Sequence, residues 1–495
     1  MLLHPTSLPG PHGNGDLGDE ARRVVAFLAR SRQSWWQMLP VVPPGEGHSP
    51  YKSISAFAGS PLLVNLDTLV RRGLLSRGEL EADPDLGRGP VRYGAARRFR
   101  ESRLRAAFTG FQADGRLRRG FDEYRDRNRH WLPDFALFSA LSTAHRGLSW
   151  TAWDPELRAR RPSALARAER RLGEAIRYHQ FVQFEFDRQW SDLRGFCRRK
   201  GIALLGDVPI FVAHDSADVW AHQELFHLDA QGRPRVVAGV PPDYFSSTGQ
   251  LWGNPLYRWS VLRARGYDWW LARLRREIER FDAVRLDHFI GFHNYWEVPG
   301  RARSARHGRW LPGPGAHFLE RVFRELGRVQ LVAEDLGVLT PGVEALRDRF
   351  ALPGLKVLHF AFAPGNEAAR PHHYPRNCLV YTGTHDNDTT QGWFRGLSRN
   401  RAGRAERRQV LRYLGSDGRE IHWDLIRLAW MSQPDIAIAP AQDLLGLGSE
   451  ARMNRPATSR GNWTWRLPPG ALDGRLAERL VGLTLTYGRT PWVTR

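Results

Sequence analysis

Short apolar runs alternate with longer stretches of helical periodicity along most of this chain. "WWQMLPVVPP" (35–44), "GIALLGDVPIFV" (201–212), "FDAVRLDHF" (281–289), "VQLVAEDLG" (329–337), "LKVLHFAF" (355–362), "NCLVYTGTHDND" (377–388) and "DIAIAPAQDLLG" (435–446) each read as a strand with its trailing loop. "LLHPTSLPG" at the start makes an eighth. Strands alternating with helices predict a parallel sheet, and eight such units predict an α/β fold closed as a (β/α)8, or TIM, barrel.

The spacing of the units is uneven. Most of residues 45–200 separates the second strand from the third, and "YGAARRFRESRLRAAFTGF" and "AERRLGEAIRYHQFVQFEFDRQWSDLRGFCRRKG" within it have helical periodicity. Between the third and fourth strands lies "VVAGVPPDYFSSTGQLWGNPLYRW", rich in Pro, Gly, Tyr and Trp. Both regions read as insertions into one catalytic barrel spanning 1–495: a mainly helical subdomain over about 66–195 and a second insertion over about 214–275. One connection departs from the pattern. "APGNEAARPHHYPRN", between strands six and seven, is too short and too broken by proline for a full helix.

Composition narrows the function. With 495 residues and 42% hydrophobic content the chain can bury a large core. The formal net charge of +21 invites a nucleic-acid or membrane-surface reading. Only Lys52, Lys200 and Lys356 are lysines, however, and the arginines are spread through helical segments such as "RAGRAERRQVLRYLG" rather than gathered in a basic arm. Arginine on solvated helix faces accounts for the charge, and neither a nucleic-acid nor a membrane partner is expected. Two cysteines, Cys197 and Cys378, cannot make a disulfide framework or a zinc site. With no signal peptide and no apolar run long enough to span a bilayer, a cytoplasmic protein is expected.

In such a barrel, catalytic groups stand at the C-terminal ends of strands. Asp207, Asp287, Glu334 and Asp386 occupy such places. Any one alone reads as a helix N-cap, but together they predict a carboxylate-lined pocket. Arg285 lies two residues before Asp287, hence on the same strand face, where a guanidinium can hold a carboxylate ionised and oriented. His288 should face the other way and reads as structural; His385, beside Asp386, reads as a ligand hydrogen-bonder. No HxxxH-type spacing supports a metal, and no cofactor is expected. Two carboxylates with different duties are the logic of glycoside chemistry, one attacking as an anion and one delivering a proton. Tyr51, Tyr244 and Trp252 sit in loops, where they stack on pyranose faces or pin the loops to the body.

These residues carry a family resemblance. "LLHPTSLPGPHGNGDLG", "SPYKSISAFAGSPLLV", "GDVPIFVAHDSADVW", "GVPPDYFSSTGQLWGNPLY", "VRLDHFIGFHNYWEVP", "VAEDLGVLTPGV", "YTGTHDNDTTQGWF" and "PAQDLLGLGSEARMNRPATSRGNWTWR" resemble, in order, the 4-alpha-glucanotransferases of the amylomaltase, or disproportionating enzyme, family (glycoside hydrolase family 77). The resemblance implies transfer of 1,4-α-glucan segments by a retaining double displacement, with maltooligosaccharides, amylose or glycogen as donor and acceptor and glucose as acceptor. It makes Asp287 the nucleophile, Glu334 the general acid and base, and Asp386 the transition-state stabiliser. His385 would touch the reacting sugar, Arg285 would steady Asp287, and Asp207 and Tyr51 would hold the donor sugar. Asp243, Tyr244 and Trp252 would belong to a loop covering the cleft, with Asn454 and Asn462 near the site. A covering loop over 239–254 would favour transfer over hydrolysis by excluding water.

Three features depart from the family pattern. The chain starts almost on its first strand. Ile290 stands where arginine is usual, and Ala457 replaces a usual glycine, which would strain a positive φ there. An α-glucan hydrolase with the same carboxylates is the alternative enzyme; a polyanion-binding protein would leave the ordered carboxylate motifs without a reason.

Overall fold

The computed structural model describes residues 1–242, 246–337, 339–458 and 460–490. Eleven strands lie within these residues: β1 (Trp35–Gln37), β2 (Ala203–Val208), β3 (Val236–Val240), β4 (Gln250–Pro255), β5 (Ala283–Leu286), β6 (Asn294–Pro299), β7 (Arg309–Pro312), β8 (Leu331–Ala333), β9 (Gly354–Val357), β10 (Cys378–Tyr381) and β11 (Ile436–Ile438).

Seven of them make two parallel sheets, in the orders β1-β2-β5-β8 and β9-β10-β11. The sheets join at both edges. Leu2 bridges in parallel to Gln37 on one side and Pro440 on the other. Its N–H donates to the Ala439 carbonyl at 3.0 Å, and the Leu3 N–H donates to the Gln37 carbonyl at 3.1 Å. At the other seam the Ala333 N–H donates to the Pro353 carbonyl at 2.9 Å. The first segment is therefore the eighth stave, and the closed barrel expected from the apolar runs is present.

Strand parity sorts the side chains. Leu2, Leu205, Ala283, Val332, Leu355, Val357, Leu379, Tyr381 and Ile438 pack on one another inside the barrel. Val284, Leu286 and Leu331 belong to the larger core shared with the helices. Outer helices include Asp19–Arg30, Gly173–Arg199, Asp268–Arg280, Gly315–Leu326, Pro341–Arg349 and Gly474–Thr486. Between β9 and β10 only the single turns Leu358–Phe360, Glu367–Ala369 and Pro371–His373 form, the last two in the stretch that proline breaks.

Between β1 and β2 run the helices Tyr93–Ala113, Arg118–Arg127, Leu132–Ala144 and Pro162–Arg171, leading into Gly173–Arg199. A second, antiparallel sheet has the order β4-β3-β6-β7. Sequence reading misses this sheet, because it is assembled from two separate connections, one before and one after β5. Among the described residues no helix is long and apolar enough to cross a membrane. Cys197 and Cys378 are free and buried.

Candidate active site

Parity also aims the polar residues. Continuing the inner face of β2 beyond Leu205 gives Asp207, and continuing that of β5 beyond Ala283 gives Arg285 and then Asp287. Asp207 and Arg285 are register partners across the two strands. Arg285 Nη1 donates to both Asp207 oxygens, at 2.7 and 2.8 Å, and meets Asp287 Oδ1 at 2.8 Å. Its Nη2 lies 4.0 Å from Glu334 Oε2. One guanidinium thus faces three carboxyls.

A single cation cannot neutralise three anions in a buried site, so a proton is retained among them. Burial, reinforced by the charge of Asp287, pushes Glu334 up to about 8 against the pull of Arg285. Burial pushes Asp207 up to about 7, opposed by Arg285. Burial alone would lower the Arg285 pKa, but Asp207 and Asp287 outweigh it and the guanidinium stays charged. Of these two, burial raises Glu334 further, so Glu334 is favoured over Asp207 as holder of the shared proton. Asp287, paired to Arg285 and with its side chain 25% exposed, presents an oriented carboxylate to the cleft.

Glu334 is held by backbone. The His288 N–H donates to Oε2 at 2.7 Å and the Leu336 N–H to Oε1 at 3.1 Å. The strand ends are tied by Glu334 N–H to Leu286 O at 3.1 Å and Phe289 N–H to Glu334 O at 2.9 Å. His288 takes a left-handed φ of +51°.

Across the barrel mouth, Asp386 follows β10 with its side chain 38% exposed. Asn454 Nδ2 donates to its Oδ1 at 2.5 Å, and His385 Nε2 stands 3.4 Å from its Oδ2. The His385 ring stacks on Tyr51 at 5.2 Å, and Trp463 leans on both rings. Burial lowers the His385 pKa, so the imidazole is neutral.

Several sequence expectations come together here: Asp207, Arg285, Asp287, Glu334, Tyr51, His385, Asp386 and Asn454. Others differ. The Asp207 side chain is wholly buried and its oxygens are taken up by Arg285 and by the Tyr51 hydroxyl at 2.7 Å, so it faces the cation rather than the cleft. Asn462 braces its own loop, accepting from the Arg455 N–H at 3.0 Å and donating to the Thr458 carbonyl at 3.0 Å. Asp243 and Tyr244 lie outside the described residues. Trp252 is on β4, its ring edge-on to His288 with centroids 4.8 Å apart. Ala457 does adopt a positive φ, +63°. Ile290 is buried, inside the turn Ile290–His293.

Sequence reading did not single out Arg452 or Trp463. Arg452 Nη2 donates to the Asp386 carbonyl at 2.6 Å and Nε to the Asn454 carbonyl at 2.7 Å, clamping the two loops that meet at Asp386. Only tertiary contact reveals this, since 66 residues separate Arg452 from Asp386.

A barrel mouth that gathers carboxyls around one guanidinium, beside stacked aromatics, is the kind of site that carbohydrate-processing enzymes use. The family model for 4-alpha-glucanotransferase matches residues 3–472. The 4-alpha-glucanotransferase of Thermus thermophilus is 49% identical over 97% of this chain and 96% of its own, and that of Synechocystis 47% identical over 99% and 97%. The amylomaltase of Streptococcus agalactiae, solved in complex with acarbose, superposes with a TM-score of 0.94 at 35% identity over 99% of each chain. The chain belongs to the 4-alpha-glucanotransferase family and is an enzyme of that glycosyl-transferring type.

Proposed function

We propose that the chain moves 1,4-α-glucan segments between chains by double displacement with retention. The observation that carries this reading is the split within one buried cluster, where Asp287 is paired with Arg285 while Glu334 is pushed up to about 8. In the first step an Asp287 oxygen attacks the anomeric carbon. The glycosidic C–O bond breaks, and Glu334 gives its proton to the leaving 4-oxygen. In the second step Glu334, now a carboxylate, takes the proton from the 4-hydroxyl of an acceptor. That oxygen attacks the anomeric carbon and releases Asp287.

Asp386, oriented by Asn454, stabilises the positive charge that develops on the sugar ring. His385 and Tyr51 form the wall on which that sugar sits. Asp207 acts from behind, keeping Arg285 in place. Trp252 covers the cleft so that a sugar hydroxyl, rather than water, reaches the intermediate. Donors and acceptors are maltooligosaccharides, amylose or glycogen, with glucose as a further acceptor. We assign about 66–195 and about 214–275, up to the barrel helices Gly173–Arg199 and Asp268–Arg280 into which they lead, as insertions on one catalytic barrel, and the enzyme to the cytoplasm, where free thiols such as Cys197 and Cys378 persist.

Incubation with maltotriose tests the reading. Glucose plus a ladder of longer maltodextrins is expected. Short products with a matching rise in reducing ends would mean hydrolysis instead.

A further inference from the structure

His288 follows the proposed nucleophile, and its backbone and side chain meet two different parts of the site. Its N–H donates to Glu334 Oε2 at 2.7 Å. Its ring meets the Trp252 ring edge-on, with planes 85° apart and centroids at 4.8 Å. The left-handed φ of +51° allows both at once, because an ordinary strand conformation would send the ring to the opposite face.

The ring is also closed from behind. A Cβ added at Gly291 would lie 3.1 Å from His288 Cδ2 and 2.7 Å from Ile210 Cδ1, so a side chain there would press on the ring and on Ile210. Nε2 is buried and has no hydrogen-bond partner among the described residues, and the ring packs against Trp252. Burial lowers the His288 pKa to about 4, and the neutral imidazole keeps an uncharged face toward Trp252.

We propose that His288 is a positioning residue that joins the covering strand β4 to the proton-transferring carboxyl: its ring seats Trp252 while its own N–H fixes Glu334. This rests on the double-displacement reading above. The glucosyl-Asp287 intermediate partitions between an acceptor hydroxyl and water, and that partition depends on how closely Trp252 sits down. A packing residue with no such coupling would alter melting or overall rate and leave the partition alone.

The test is the ratio of transfer to hydrolysis on maltotriose, measured in the full-length enzyme for wild type, Trp252→Ala, His288→Asn and the double variant. Asn adopts a left-handed φ readily and retains the backbone N–H to Glu334. His288→Asn is expected to lower the ratio roughly 2- to 10-fold, the factor an edge-to-face aromatic contact is worth. In the Trp252→Ala background the same substitution should have no further effect. If Trp252→Ala moves the ratio and His288→Asn does not, or if the two effects multiply, His288 is not the seat and the proposal falls. If Trp252→Ala itself leaves the ratio unchanged, the covering role of Trp252 fails first and takes the proposal with it. Gly291→Ala guards against misfolding of His288→Asn: it displaces the ring with both partners kept, and it should lower the ratio in the same direction. An unchanged ratio there would also overturn the coupling.

Discussion

Replacing Glu334 with Gln should change how stability depends on pH. A buried carboxyl pushed up to about 8 from an ordinary 4.5 favours the protonated form in the folded chain. A raised pKa contributes stability that is fully present below the unfolded value and is lost as pH climbs through the folded value. Between pH 4.5 and 8 the folded protein holds a proton that the unfolded chain releases. Each pH unit across that interval costs about 1.4 kcal/mol, so the whole interval costs at most about 5 kcal/mol. Sharing of the proton with Asp207 and Asp287 makes the realised value smaller.

Gln has no proton to lose, so this loss is absent from the variant. Its single carbonyl oxygen cannot accept from both the His288 and Leu336 N–H groups as the two carboxyl oxygens of Glu334 do, an offset of about 1–3 kcal/mol. The offset is constant with pH and does not alter the slope. Melting temperatures of wild type and Glu334→Gln, taken from pH 5 to pH 9, should therefore converge or cross as pH rises, with wild type losing more. The wild-type kcat/KM should fall above about pH 8, as the proton donor of the free enzyme ionises. Parallel melting profiles would refute the assignment of the retained proton to Glu334.

Two further outcomes are expected. Ala457→Gly relieves a left-handed φ of +63° and should raise stability by up to about 1 kcal/mol, seen as a higher melting temperature; a lower one would show that the strain is compensated by packing. Asn454→Ala removes the donor 2.5 Å from Asp386 Oδ1 and should reduce kcat roughly 10- to 100-fold, the worth of a hydrogen bond to a charged group; an unchanged kcat would remove Asn454 from the site.

Much of this protein was legible in the chain alone. Buried strands must be apolar and charged residues must leave the core, so the eight runs and the acids that interrupt them mark both the staves and their C-terminal ends. Period-two alternation placed Arg285 and Asp287 on one face before any contact was known. Proline forbade the helix after β9.

Other features depended on groups distant in sequence. Leu2 closes the barrel only by bridging Gln37 and Pro440. The antiparallel sheet draws strands from both sides of β5, so no local pattern announces it. Arg285 turns Asp207 inward to a buried pair, while Asn462 satisfies itself within its own loop. His288 read as a structural residue facing away from Asp287, because alternation presumes an extended backbone; at the left-handed φ of +51° its ring lies against Trp252. Sequence fixes which side chains are available and which face a regular strand gives them. Protonation, pairing and the direction of a turn are decided by partners that only folding brings within a few ångströms, where burial makes each charge and hydrogen bond count.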